Sequence, residues 1–208
     1  AVGIYTTAVQ ISNLVDVPSL SVASIVFPQG ARKSEITGEE RKKSLRELYE
    51  KSVGAILALI LPFIGFVFIF PEFVLWILFG DKFLDAAPIL RLTVLYGLFL
   101  PFAIQFGTVL DSMGKPKVNF YFTMAGALIN VFFNWICIKE FGIIGAAYGT
   151  LITYIITFVF YQMVLNRILG VKMHRPFGHI KGFYIEAFKV AKQFISKSET
   201  TKKVEVKQ

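Results

Sequence analysis

The sequence predicts an all-α protein, a polytopic bundle of about five membrane-spanning helices. Two observations carry that prediction. Of the 208 residues, 55% are hydrophobic and only 17% are charged, where a water-soluble domain carries nearer one quarter. The charges are also segregated, so that residues 53–70, 92–110, 118–138 and 141–166 contain no Asp, Glu, Lys or Arg. Each run is close to the roughly 20 residues a helix needs to cross about 30 Å of hydrocarbon.

A fifth apolar run opens the chain, over about residues 1–28. It is interrupted by Asp16 and by two prolines, Pro18 and Pro28, and reads as one kinked span. The other spans are expected over about 53–70, 88–110, 118–138 and 141–166, which makes residues 1–167 the membrane bundle. The chain begins inside its first apolar run with no flanking charge, as expected for the C-terminal piece of a longer protein. No basic segment precedes that run, so a cleaved signal peptide fits poorly.

Orientation follows from Lys and Arg, which gather on the cytoplasmic side of spans. The stretch after the first span holds Arg32, Lys33, Arg41, Lys42, Lys43, Arg46 and Lys51, and the same side receives Lys115, Lys117, Arg167, Lys172, Arg175 and Lys181. The opposite side holds Lys82, Arg91 and Lys139. The C-terminus is therefore expected in the cytoplasm. A net charge of +8 beside apolar spans points to anionic lipid headgroups before nucleic acid.

Between the first two spans, Thr37 followed by Glu40 has the spacing of a capping box. A charged helix is expected to start there and run on into the second span. On the outer side, the segment from Pro71 to Pro88 is apolar but too short to cross, with a turn at Gly80 and Asp81. It reads as a short interfacial helix with Trp76 and Phe79 at headgroup depth.

Residues 168–208 form a basic tail. Within it, Phe183, Tyr184, Ala187, Phe188, Ala191, Phe194 and Ile195 recur at helical spacing opposite Lys189, Lys192 and Lys197. An amphipathic helix over about 182–197, lying on the inner leaflet, is expected; from Ser196 the sequence is polar and Lys-rich.

Polar side chains inside hydrocarbon are costly and demand water or partners. Gln10, Asn13 and Asp16 recur every three residues in the first span and suggest one polar stripe on a water-filled cavity. Asp16 would there contact a cation, a proton or sugar hydroxyls; the alternative is a polar contact between helices. Arg91 enters the third span from outside, where it would grip a phosphate, pair with Asp85 or simply reach for the interface. Gln105, Asn130 and Asn134 complete the candidate set, and hydrogen bonds between helices account for them equally well. Gly145 and Gly149 form a GxxxG pair suited to close helix packing.

No cofactor or metal is expected. His174 and His179 lack partners at ligand spacing, and Cys137 is the sole cysteine, alone within a span. No Ser/His/Asp set, carboxylate pair or P-loop appears.

Several segments also carry a family resemblance. VGIYTTAVQISNLVDVP is similar to the start of the second helix in the C-terminal lobe of polysaccharide transporters. These are oligosaccharide flippases within the multidrug/oligosaccharidyl-lipid/polysaccharide exporter group. PEFVLWILFGDKFLDAAPILRL resembles their external turn, LDSMGKPK their next cytoplasmic turn, and FGIIGAAYGTLITY their Gly-rich start of the following helix. Together these cover most of residues 1–167 in the family's order, and the tail lies outside the resemblance.

The resemblance implies two lobes related by an axis along the membrane normal, with this chain as most of the second. The first helix of that lobe and the whole N-terminal lobe would belong to the same longer chain. It implies flipping of a lipid-linked oligosaccharide across the bacterial inner membrane by alternating access, with a proton or sodium ion as possible driver. A cation-coupled multidrug extruder of the same superfamily is the alternative. A membrane enzyme of glycan assembly and a non-transporting scaffold are further alternatives; the first lacks a sizeable outer loop with catalytic residues.

Overall fold

A computed structural model describes residues 2–180, 182–185 and 189, and among these it contains helices and no strand. In chain order they are α1 (Val2–Ser12), a 3-10 turn (Asn13–Val15), α2 (Asp16–Ser34), α3 (Gly38–Ile69) and α4 (Pro71–Phe79). A 3-10 stretch (Asp81–Ala86), α5 (Ala87–Tyr96), α6 (Leu100–Ser112), α7 (Pro116–Phe141) and α8 (Ile143–Leu169) complete the order. They join into five apolar rods over Gly3–Ser34, Gly38–Ile69, Asp81–Ser112, Pro116–Phe141 and Ile143–Leu169.

These rods overrun the charge-free runs. The first three contain 32 residues each, about 48 Å at 1.5 Å per residue, so their ends project beyond the hydrocarbon. A flanking charge sets where a helix leaves lipid and does not stop the helix. The charged stretch after Gly38 accordingly merges with the second span into the single helix α3. Thr37 stands at its N-cap in an extended conformation, but the side chain makes no capping hydrogen bond, so the expected capping box is not formed.

The first rod changes pitch at Asn13–Val15, where the Asp16 N–H donates back to the Asn13 carbonyl. Pro18 explains this, because it has no N–H to offer the Leu14 carbonyl one turn earlier. Pro28 lies inside α2 without ending it. The third rod is divided, which the charge pattern does not reveal. Gly97, Leu98 and Phe99 donate to the carbonyls of Val94, Leu95 and Tyr96, a tightened turn. Pro101, at the start of α6, cannot donate to the Gly97 carbonyl. The connection between the second and third rods is helical as expected: α4 ends where Gly80 takes a φ of +79°, and Phe73, Trp76, Ile77 and Leu78 are exposed.

Helix α3 is the axis of the packing. Leu45, Tyr49, Val53, Ile56, Ile60, Ile64 and Val67 follow three- and four-residue spacing and are almost fully buried. Around it, α2 packs on α3 and α6, α1 on α5, and α5 on α8. Helices α7 and α8 form a tight hairpin through Gly142, whose φ is +62°. Gly145 abuts the Cys137 backbone, and a Cβ added at Gly149 would lie 2.8 Å from the N and Cα of Asn134. The GxxxG pair thus holds an intramolecular seam, as small residues do where shape drives association. Most of α7 outside this seam is exposed.

Beyond α8 the chain takes an unexpected course. Residues 175–180 and 182–185 are helical and run beside α3. Arg175 stands 3.8 Å from Glu50, the Pro176 carbonyl and His179 abut Gly54, and the Tyr184 hydroxyl donates to the Ala58 carbonyl at 2.6 Å. Where a helix lying flat on the inner leaflet was expected from residue 182, its described start climbs along the bundle instead. Glycine at position 54 leaves the room for this approach. The remainder of the 182–197 helix, apart from Lys189, lies outside the described residues.

The seam predicts a contrast between two glycines. Gly149→Ala should lower the thermal stability of the purified protein by about 1–3 kcal/mol through overpacking. Gly65→Ala meets no atom within 4 Å and should leave the unfolding midpoint unchanged or raised, since alanine is the better helix former. Equal midpoints for both variants would show that the close approach is not rigid.

Candidate functional site

A cleft of about 500 Å³ opens between α6, α7 and α8. Its polar lining comes from Thr123 and Asn130 on α7 and from Thr150, Thr153, Tyr154, Thr157 and Tyr161 on α8; α6 supplies Leu100, Ala103 and Ile104. The α8 residues recur at three- and four-residue intervals, which brings them to one face. Among the described residues, none that lines the cleft is charged.

Local hydrogen bonds decide what this lining offers. The Thr153 hydroxyl donates to the Gly149 carbonyl and the Thr157 hydroxyl to the Thr153 carbonyl, each at 2.8 Å. Their protons are committed, so their oxygens remain as acceptors. The Asn134 side-chain amide donates to the Asn130 side-chain oxygen Oδ1 at 2.8 Å, which leaves the Asn130 amide N–H groups for the cleft. The tyrosines are held by stacking: Tyr161 on Phe106 with centroids 4.2 Å apart, and Tyr154 on Tyr96 at 5.2 Å. Tyr5 reaches Thr150 with its hydroxyl. The arrangement is a neutral surface of fixed donors and acceptors with aromatic rings among them.

Of the residues expected from sequence to border a cavity, Asn130 alone lines this cleft. Gln10 and Asn13 are exposed on the outward face of the first rod, while Asp16 is half-buried on its flank. Burial therefore divides the expected single stripe, with Gln10 and Asn13 exposed and Asp16 partly covered by the packed helices. Asp16 lies in electrostatic range of Tyr96 and Tyr154 but does not itself line the cleft.

Arg91 pairs with Glu72 of α4 at 3.1 Å, and not with Asp85. Gln105 is fully buried and donates to the Ser19 carbonyl at 3.3 Å, tying α6 to α2. Asn134 sits in the seam at Gly149 and orients Asn130. The seven candidates are thus dispersed between an ion pair, a buried strut, the seam, the outward face and the rim of the cleft.

What the sequence reading passed over is the hydroxyl lining itself. Thr150, Thr153, Tyr154, Thr157 and Tyr161 fall within the charge-free run of residues 141–166. Threonine hides its hydroxyl proton on the preceding turn and so raises no alarm in an apolar segment. Their regular spacing on one face was the available signal. Other polar groups are paired within the packing: Ser12 donates to Thr93 at 2.7 Å, and the Gln162 amide donates to Tyr49 at 3.3 Å.

Five apolar rods, with a neutral polar cleft between α6, α7 and α8, define a multi-pass helical membrane protein. Comparison with known proteins gives the family. Residues 1–136 match MatE, and the chain belongs to that family, within the multidrug/oligosaccharidyl-lipid/polysaccharide exporter superfamily of flippases and related transporters. It is 32% identical over 157 residues to the membrane protein MJ1068 of Methanocaldococcus jannaschii, covering 76% of this chain and 30% of that protein. It is 24% identical over 171 residues to the probable low-salt glycan biosynthesis flippase Agl15 of Haloferax volcanii, covering 82% of this chain and 36% of that protein. The chain thus spans about a third of the length of these relatives. No solved structure matches it.

The strut role of Gln105 is testable by size and polarity. Gln105→Ala should cost about 2 kcal/mol of stability by leaving a void, whereas Gln105→Leu keeps the volume and should stay within about 1 kcal/mol. Thermal unfolding in detergent reads both. A Gln105→Leu protein of parental stability that no longer transports would instead make Gln105 part of the functional set.

Proposed function

We propose that this chain forms one lobe of a transporter that flips a lipid-linked oligosaccharide across the cell membrane by alternating access. The neutral lining of the α6–α7–α8 cleft carries the reading. Sugars present many hydroxyls and no charge, and they need fixed donors and acceptors in a hydrated recess, while the lipid tail stays in the bilayer. Asn130 supplies the donors, the threonines supply acceptors, and the two stacked tyrosines supply both hydroxyls and ring edges. The name of the Haloferax volcanii relative, a glycan biosynthesis flippase, supports the same substrate class.

The remaining length of such a protein would hold the second lobe, and rocking of the two would expose the cleft to each side in turn. The basic ends of the rods would lie in the cytoplasm, with the C-terminus. Bacterial origin forms no part of this proposal, since the relatives named above are archaeal. Asp16, a half-buried carboxylate within the first apolar rod, is the residue proposed to take a coupling proton or sodium ion. The same carboxylate would suit the alternative, a cation-coupled multidrug extruder.

The test is transport by the intact protein reconstituted into liposomes with a fluorescent lipid-linked oligosaccharide. Asn130→Ala combined with Thr153→Val should slow flipping about tenfold, as expected for two lost hydrogen bonds of roughly 0.5–1.5 kcal/mol each, with protein abundance unchanged. Asp16→Asn should abolish the dependence on an ion gradient. Unaltered flipping in the double variant, or efflux of cationic drugs in place of flipping, would refute the assignment.

A further inference from the structure

A second recess lies on the opposite face of α8, at its basic end. It has a volume of about 330 Å³ and is lined by Val159, Gln162, Met163, Asn166, Arg167 and Met173, with Val171 closing it. Thr157 and Tyr161, which line the cleft described above, point the other way around the helix, so the two recesses are separate.

The groove is built. Its floor is the turn after α8, where the Asn166 amide donates to the Val171 carbonyl at 3.0 Å and Gly170 takes a φ of +71°. Gln162 is 7% exposed. One end of its amide meets the Tyr49 hydroxyl, and the other end, Oε1, is buried with no partner. A half-turn of the amide, with Tyr49 then donating to Oε1, would satisfy that oxygen and turn the NH2 group toward the groove as the donor a phosphate needs.

Position and charge define that ligand. The charge-free run of α8 ends at Asn166, and Arg167 follows at once, so Val159 and Met163 stand at hydrocarbon depth and the guanidinium at headgroup depth, while Met173 from the turn after α8 completes the apolar lining. Among the described residues Arg167 makes no ion pair, and Lys172 follows five residues later, beyond the Gly170 turn. Methionines adapt to a flexible occupant, and a guanidinium matches a phosphate.

We infer that this groove is a binding site for one anionic phospholipid, its phosphate held by Arg167 with the polar end of Gln162, and one acyl chain laid along Val159, Met163 and Met173. The site ties α8 and the turn after it to the composition of the basic-side leaflet. It does not depend on what the protein carries.

Native mass spectrometry of the intact protein in detergent reads the site directly, by counting retained phosphatidylglycerol against phosphatidylcholine at equal concentrations. Phosphatidylglycerol should be retained about tenfold better, the worth of one charge-assisted contact. Arg167→Gln should remove the preference, and Met163→Trp should lower retention of both lipids by filling the groove; Lys82→Gln, at the other end of the bundle, should do neither. Circular dichroism and gel filtration establish that each variant is folded. The parent protein supplies a second reading without mutation: phosphatidylglycerol should raise its unfolding midpoint, and inorganic phosphate alone should not. Undiminished preference in Arg167→Gln would overturn the inference. So would displacement of the lipid by inorganic phosphate, or by a lipid-linked oligosaccharide at stoichiometric amounts, the latter assigning the groove to substrate.

Discussion

Hydrocarbon supplies no hydrogen-bond partner, so every polar group in the five rods has to find one in protein or in enclosed water. That constraint organises the structure. It sends the threonine protons of α8 back onto their own helix, joins Ser12 to Thr93 and Gln105 to the Ser19 carbonyl, and leaves only selected acceptors and amide protons facing the cleft. The recess is polar because its walls are internally satisfied first.

Close packing in lipid gains little from the hydrophobic effect and depends on contact area. Glycine therefore sets the geometry at two places. At Gly149 it brings α7 against α8 and so carries Asn134, and through it Asn130, to the edge of the cleft. At Gly54 it lets the chain after α8 return along α3. One seam positions chemistry, and the other turns a basic stretch inward along the bundle.

The architecture was largely legible because ionised residues are excluded from lipid: the charge-free runs located four rods, and Gly145 with Gly149 announced a seam. Rod ends were less legible, since Arg32, Lys33 and the residues from Glu39 to Lys51 continue helices past the interface. The division of the third rod at Gly97 and Pro101 was visible as residue types but was masked by the unbroken apolarity around it. For the site, Asp16 stood out as an ionisable group in an apolar run, and in the structure it is half-buried without lining the cleft. The threonines drew no notice because their cost is hidden by local bonding. Gln10 and Asn13 were grouped with Asp16 on spacing alone, and in the structure the first two are exposed while Asp16 is partly covered.

The divided rod has a mechanical consequence. Helix α5 is wedged between α1 and α8, whereas α6 lies mainly on α2 and α3, and the two halves meet only through the short turn at Gly97–Phe99. A rod jointed at mid-depth transmits a push at one membrane face to the other face as a change of angle and not as a piston stroke. Because α6 also forms one wall of the cleft, a few degrees at that joint would alter the width of the recess while leaving the α7–α8 hairpin undisturbed.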